Sequence, residues 1–264
     1  MDETIRRFAE TLDTHLRLSS APVAVKLAAP GEKIPQKAKA PLAQVGNRLA
    51  ACQGMSLARN FGWTMVFGAE DHGCPLPLVF MGLTPPDKFL EGDIARAYQQ
   101  DAACARAMEA AYPRWPQGRF EAVWLAPVSR CDFIPDLVVV YGNAAQILAL
   151  IQGANFGLGT GIASLSTGRY GCSLWLAGAI QKGECTYMIP GPGERIFAGT
   201  QDHELSFAVP YSRIAALIEG LNYVRGQGSF RYPVPAMGLL AEPRIPKNYF
   251  QIAAQASAAG AADS

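Results

Sequence analysis

The segment PDLVVVYGNAAQILALIQGANFG (135–157) most restricts the folds open to this chain. Its first half is a near-continuous apolar run, the pattern of a strand covered on both faces. Its second half predicts a helix, with Asn143 placed to cap the first free N–H groups and glycines near its end. Strand, short turn and helix in succession are the signature of a layered α/β arrangement.

The rest of the chain extends that pattern. Strands are expected at PVAVKLA (22–28), TMVF (64–67), FEAVWLAPV (120–128), CTYMIP (185–190), ERIFAG (194–199) and ELSFAVP (204–210). Ile5, Phe8, Leu12 and Leu16 recur near helical spacing and predict a helix over 2–18. Further helices are expected over 46–60, 92–113, 171–183 and 211–224. The expectation is a single compact α/β (or α+β) domain over 1–250, a mixed sheet with flanking helices. The 251–264 segment, poor in large apolar residues, reads as a flexible C-terminal tail.

Half of the residues are hydrophobic and 17% are charged, enough apolar matter for a sizeable core. A formal net charge of +1 argues against a general nucleic-acid binder and against a polybasic membrane-surface protein. The opening MDETIRRFAETLDTHLRL lacks the apolar core of a signal peptide, and runs such as LVVV (137–140) are too short to span a bilayer. A soluble cytoplasmic protein is therefore expected, with no nucleic-acid or membrane partner. Its partners would be a small-molecule ligand or a redox protein, and self-association into a homo-oligomer stays open. In that compartment the six cysteines should be reduced rather than paired.

GLGTG (157–161) follows a helix, whereas a dinucleotide fingerprint needs a strand before and a helix after. No HExxH helix and no G-x-S-x-G elbow occurs. PGPGER (190–195) reads either as a tight connection between strands or as an anion cradle. In the second reading Gly193 offers backbone N–H groups and Arg195 a fork of donors for a carboxylate or phosphate.

The thiols remain. Cys104 lies in an Ala-rich helical stretch, Cys131 in a link between strands and Cys185 at a strand start, all contexts of ordinary packing. Cys52 (ACQGM), Cys74 (HGCPLP) and Cys172 (RYGCS) lie in Gly-containing segments where backbone can approach a bulky inorganic group. Cys74 also precedes a proline, which lacks an N–H and fixes the loop. Soft thiolates select iron–sulfur clusters, zinc or Cu(I). No CxxC…CxxC spacing occurs, so the first expectation is an iron–sulfur or other thiolate-metal site on Cys52, Cys74 and Cys172. His72, Cys131 or an exogenous group would complete it. One alternative is a non-redox protein binding an anionic ligand through Arg195. Another is an enzyme with Cys74 or Cys172 as nucleophile and His72 nearby.

Several of these segments also carry a resemblance. The Cys52 segment with Gly62 and Cys74, FIPDLVVVYGNAAQILALIQG (133–153), GCSLWLAGAIQKG (171–183), PGPGERIFAGTQDHELSFAVP (190–210) and IAALIEGLNYV (214–224) resemble the domain of unknown function 169 family of bacterial and archaeal proteins. The resemblance runs from PVAVKL (22–27) to YPVPAMGLL (232–240), with PDLVVVYGNAAQ its most specific part. It implies family cysteines at positions matching Cys52, Cys74 and Cys172, short of a four-cysteine ligand set, and it implies no fold or reaction.

Overall fold

The computed structural model describes residues 2–226 and 249–250. The tail expected over 251–264 and the YPVPAMGLL segment therefore lie outside the described residues. The architecture is a six-stranded sheet with helices on both faces, the α/β (α+β) class that the sequence predicts. The strands are β1 (Val23–Ala28), β2 (Met65–Gly68), β3 (Ala122–Pro127), β4 (Leu137–Gly142), β5 (Thr186–Met188) and β6 (Leu205–Pro210). Their spatial order is β2-β3-β1-β4-β6-β5. All pairs among these strands are antiparallel, with Val23 opposite Pro127 on one side and Val139 on the other. The two isolated bridges, Lys39 to Met65 and Leu49 to His72, are parallel.

Every residue of β3 and β4 is buried, because these central strands are covered on both faces. Successive side chains alternate between two cores. Ala24, Ala126, Val138, Val140, Phe207 and Val209 pack with the helices Glu3–His15, Ala144–Asn155 and Ile214–Gly226. Val23, Val25, Leu27, Leu125, Val139 and Tyr141 face the other way, toward the helix Ala51–Phe61 and the helical segment that holds Trp175. Burying a side chain such as Phe8 or Phe67, neither with measurable exposure, is worth roughly 1.5–3 kcal/mol relative to leaving it in water. Caps fix the helix starts: Asp2 Oδ1 accepts the Ile5 N–H, and Asn143 Oδ1 accepts the Gln146 N–H.

Two elements differ from expectation. ERIFAG is not a strand: Pro192–Ala198 is a helix, with Pro192 in its first turn and Glu194 reaching back to the Gly191 N–H. A proline at the helix start and the Glu194 side chain capping back onto the Gly191 N–H outweigh the alternation that suggested a strand. The helix expected over 92–113 is broken into a 3₁₀ turn, Ala95–Tyr98, and a helix, Ala102–Ala110, because Asp101 caps a new start by accepting the Cys104 N–H. Among the described residues no helix is long and apolar enough to cross a membrane.

Candidate functional site

On the face of the sheet carrying Tyr141, a cavity of about 180 Å³ brings together chain segments that are far apart in sequence. Cys52 comes from the first turn of Ala51–Phe61, and Cys74 from the loop before the short helix Leu76–Phe80. Cys172 comes from the start of a helical segment made of Gly171–Ser173, a π turn Leu174–Gly178 and Ala179–Lys182. Gly191 to Glu194 close one wall, and Ile94, Tyr98, Arg169, Tyr170, Leu76, Pro77 and Phe197 form much of the rest. Cys104, Cys131 and Cys185 are not among the lining residues.

The backbone around Cys172 is unusual twice over. Tyr170 has φ 53°, a left-handed conformation that a non-glycine residue rarely adopts, and the π turn follows within a few residues. Both features cost energy and tend to occur where a fold positions a site. Between them Gly171 has no spare room: a Cβ there would lie 2.8 Å from Glu194 Oε2. Gly171 thus lets the helix start press against the buried carboxyl.

The electrostatics of the cavity follow from burial. Burial pushes the Cys52 thiol up to about 12, with Glu194 and Cys74 adding to the effect. Cys74 is raised by burial, and Cys172 is raised well above the usual thiol range by burial and then by Cys74, Glu194 and Cys52. The mutual effects put the three thiols and Glu194 within electrostatic reach of one another. Cys52 Sγ donates to the Gly193 carbonyl at 3.8 Å. Burial also raises Glu194, whose Oε1 accepts from the Tyr141 hydroxyl at 2.9 Å and whose Oε2 accepts from the Gly191 N–H at 3.1 Å. Behind Tyr141, the Arg59 guanidinium lies 4.1 Å from the ring centroid and pairs with Glu204 at 2.6 and 3.0 Å. Without a bound cation the cavity therefore holds neutral thiols beside a carboxyl biased toward its protonated form.

The remaining candidate residues lie elsewhere. Arg195 is not a lining residue: its Nε donates to the Pro190 carbonyl, and its Nη1 donates to the Gln201 carbonyl and Asp202 Oδ1. Its donors brace its own loop, while Gly193 does line the cavity. His72 is buried against Phe67, ring centroids 5.2 Å apart, and is not a lining residue either. Cys131 packs in the core on the opposite face of the sheet and donates to the Phe133 carbonyl. Neither reserve ligand lines the cavity. Among the described residues no group of three or more His, Cys, Asp or Glu side chains is arranged to hold a metal ion.

Sequence reasoning missed Glu194, Arg169, Tyr98 and Tyr170. Glu194 sits in the motif that drew attention to its neighbour Arg195, and its place three residues after Gly191 is that of a cap. Arg169 and Tyr170 stand within three positions of Cys172, and that adjacency was their only signal.

Residues 11–220 match the model of DUF169, the domain of unknown function 169, described as uncharacterised ArCR. The chain belongs to the DUF169 family. The match contains all three cavity cysteines, Arg169 and Glu194. A similar protein is the uncharacterized protein MJ0308 of Methanocaldococcus jannaschii, 25% identical over 232 residues, which is 84% of this DUF169 chain and 95% of the relative. No solved structure matches the chain significantly.

Proposed function

We propose that this protein holds an iron–sulfur cluster in the cavity through Cys52, Cys74 and Cys172. The observation that carries the reading is selective convergence: these three thiols reach one cavity from three chain segments, while the other three cysteines are not among its lining residues. The donor set suits the group. Thiolates are the natural ligands of such clusters, and ligands to different irons need not meet at one point, unlike the ligands of a single ion. Bound there, the group supplies electron transfer, or Lewis acidity where one iron lacks a protein thiolate.

The chain's own residues provide the setting. Gly171 allows the Cys172 turn to pack against Glu194, and the Arg169 guanidinium lies on the same wall, where it offsets the negative charge of bound thiolates. The aliphatic and aromatic lining restricts water. Burial, which keeps the free thiols protonated, weighs against a cysteine nucleophile, since that chemistry needs a lowered thiol pKa. The partners consistent with this reading are a small molecule or a redox protein.

Anaerobic purification followed by iron and acid-labile sulfide analysis and an ultraviolet–visible spectrum tests the reading. Iron, sulfide and visible absorbance are expected. All should be lost in Cys52→Ser, Cys74→Ser and Cys172→Ser and kept in Cys131→Ser. A colourless anaerobic protein that contains no iron, and takes up none on reconstitution with ferrous iron and sulfide, overturns it.

A further inference from the structure

Arg169 brings to the same cavity a guanidinium whose donors are only partly used. It lines the cavity at 9% exposure, and its guanidinium carbon lies 4.4 Å from the Tyr98 ring centroid and 4.7 Å from that of Tyr170. Nη1 donates to the Tyr170 hydroxyl at 3.2 Å, whereas the buried Nη2 has no hydrogen-bond partner among the described residues. A buried guanidinium left short of an acceptor is costly, and a carboxylate is the acceptor its planar fork fits. Glu109 is close enough for Arg169 to influence its carboxyl, but its Oε1 accepts the Ala95 N–H, its buried Oε2 has no hydrogen-bond partner among the described residues, and no Arg169–Glu109 ion pair forms within 4.0 Å.

The other walls define the body of the ligand. Leu76, Pro77, Ile94, Tyr98 and Phe197 are apolar or aromatic. Ile94, Tyr98 and Phe197 are also exposed, so the cavity has a solvent-facing apolar rim. At about 180 Å³ it is smaller than the roughly 300–1,000 Å³ of pockets for drug-sized molecules. Among the described residues Arg169 is the sole Lys, Arg or His in the lining, and Glu194 stands in the same cavity. A dianion or polyphosphate would find a single countercharge there.

We infer that the cavity binds a small organic monocarboxylate, its carboxylate on Arg169 and its apolar body against Leu76, Pro77 and Phe197. The inference deepens the cluster reading and rests on it for the ligand's place beside the three thiols; the contact with Arg169 needs no metal.

Isothermal titration of the anaerobically purified protein with benzoate, its neutral isostere benzamide, succinate and inorganic phosphate provides the test. Benzoate should bind saturably and at least tenfold more tightly than the other three. Arg169→Gln should weaken benzoate at least tenfold. Arg169→Lys, which keeps the charge and loses the planar fork, should fall between. The benzoate–benzamide comparison on the unaltered chain keeps the inference open to refutation if Arg169→Gln does not fold. Equal affinity for benzoate and benzamide, preference for phosphate, or absence of binding overturns the inference; with iron and sulfide present, those results leave the cluster reading standing. Benzoate selectivity that depends on Arg169 in a protein without iron sinks the cluster reading and supports the carboxylate site.

Discussion

Replacing Arg59 with Met should destabilise the fold by more than most single substitutions do, and in a way that depends on pH. Arg59 and Glu204 are each 5% exposed, and two hydrogen bonds of 2.6 and 3.0 Å join them. Removing one partner of such a pair strands the other charge in a poorly solvated place, at a cost of about 3–5 kcal/mol. For a chain of this size that corresponds to a fall in Tm of roughly 6–20 °C. Glu204 supplies the pH signature. Burial alone would raise its carboxyl, but hydrogen bonds from Arg59 and the Gln201 N–H outweigh burial and leave it below its ordinary value. A carboxyl depressed in the folded state contributes stability above its unfolded pKa and loses it as pH falls through the folded value. In Arg59→Met the burial effect prevails, the folded carboxyl moves up, and protonation relieves the stranded charge. Urea unfolding followed by tryptophan fluorescence should show the full deficit at pH 7 and a smaller one near pH 4.5. Arg59→Met combined with Glu204→Met should be more stable than the sum of the single losses predicts. A deficit under about 1 kcal/mol, or one that does not change with pH, would refute the account of a buried pair whose value lies in mutual compensation.

Other outcomes follow from the same contacts. Burial lowers His72 to about 4 from 6.5, so the unfolded chain binds its proton first and stability should decline as pH falls from about 6.5 to about 4. His72→Phe should remove that slope in urea titrations and leave iron content unchanged, because His72 lies outside the cavity. Gly171→Ala places a Cβ 2.8 Å from Glu194 Oε2 and should cost about 1–3 kcal/mol, with iron uptake reduced more than in a Gly183→Ala control; equal uptake in both would count against the tight packing around Glu194. In the metal-free protein, Cys52 should react with iodoacetamide far more slowly at pH 8 than an unfolded thiol does, since its pKa is raised to about 12. Cluster assembly displaces those thiol protons, so reconstitution yield should rise with pH between 6 and 9.

The sequence exposed those parts of the architecture in which one local signal agrees with the tertiary environment. β3 and β4 are short apolar runs buried on both faces, and Asn143 caps the helix that its position announces. ERIFAG failed because its alternation is shared by two structures. Pro192 and the Glu194 cap decide for a helix, and its apolar side chains split accordingly: Ala198 is buried, whereas Ile196 and Phe197 are exposed. The cavity was legible in a different degree. Local glycine and proline context singled out the three cysteines that converge, a property of the chain near each residue. What stands between them is a property of the assembled sheet and helices. Arg195 looked the better anion ligand because it follows a Gly-Pro-Gly turn, yet the Pro190 and Gln201 carbonyls on either side of its helix engage its Nε and Nη1 donors. Arg169 sits in a stretch without periodicity and becomes conspicuous only when Tyr98, from a distant 3₁₀ turn, lies against its guanidinium and Nη2 is left without an acceptor.

The buried polar chain behind the cavity links these observations. Glu204 compensates Arg59, Arg59 lies against the Tyr141 ring, Tyr141 donates to Glu194, and Glu194 faces the thiols. Each link lies in or beside the core on one side of β4, where an unpaired charge would be costly. The chain ends on a carboxyl that burial biases toward its neutral form, so the cavity's fixed charge is dominated by Arg169. That polarity favours thiolates and a carboxylate in the same place. Reversing it by Arg169→Glu should therefore impair cluster retention and benzoate binding together, whereas Arg169→Gln should impair chiefly the latter.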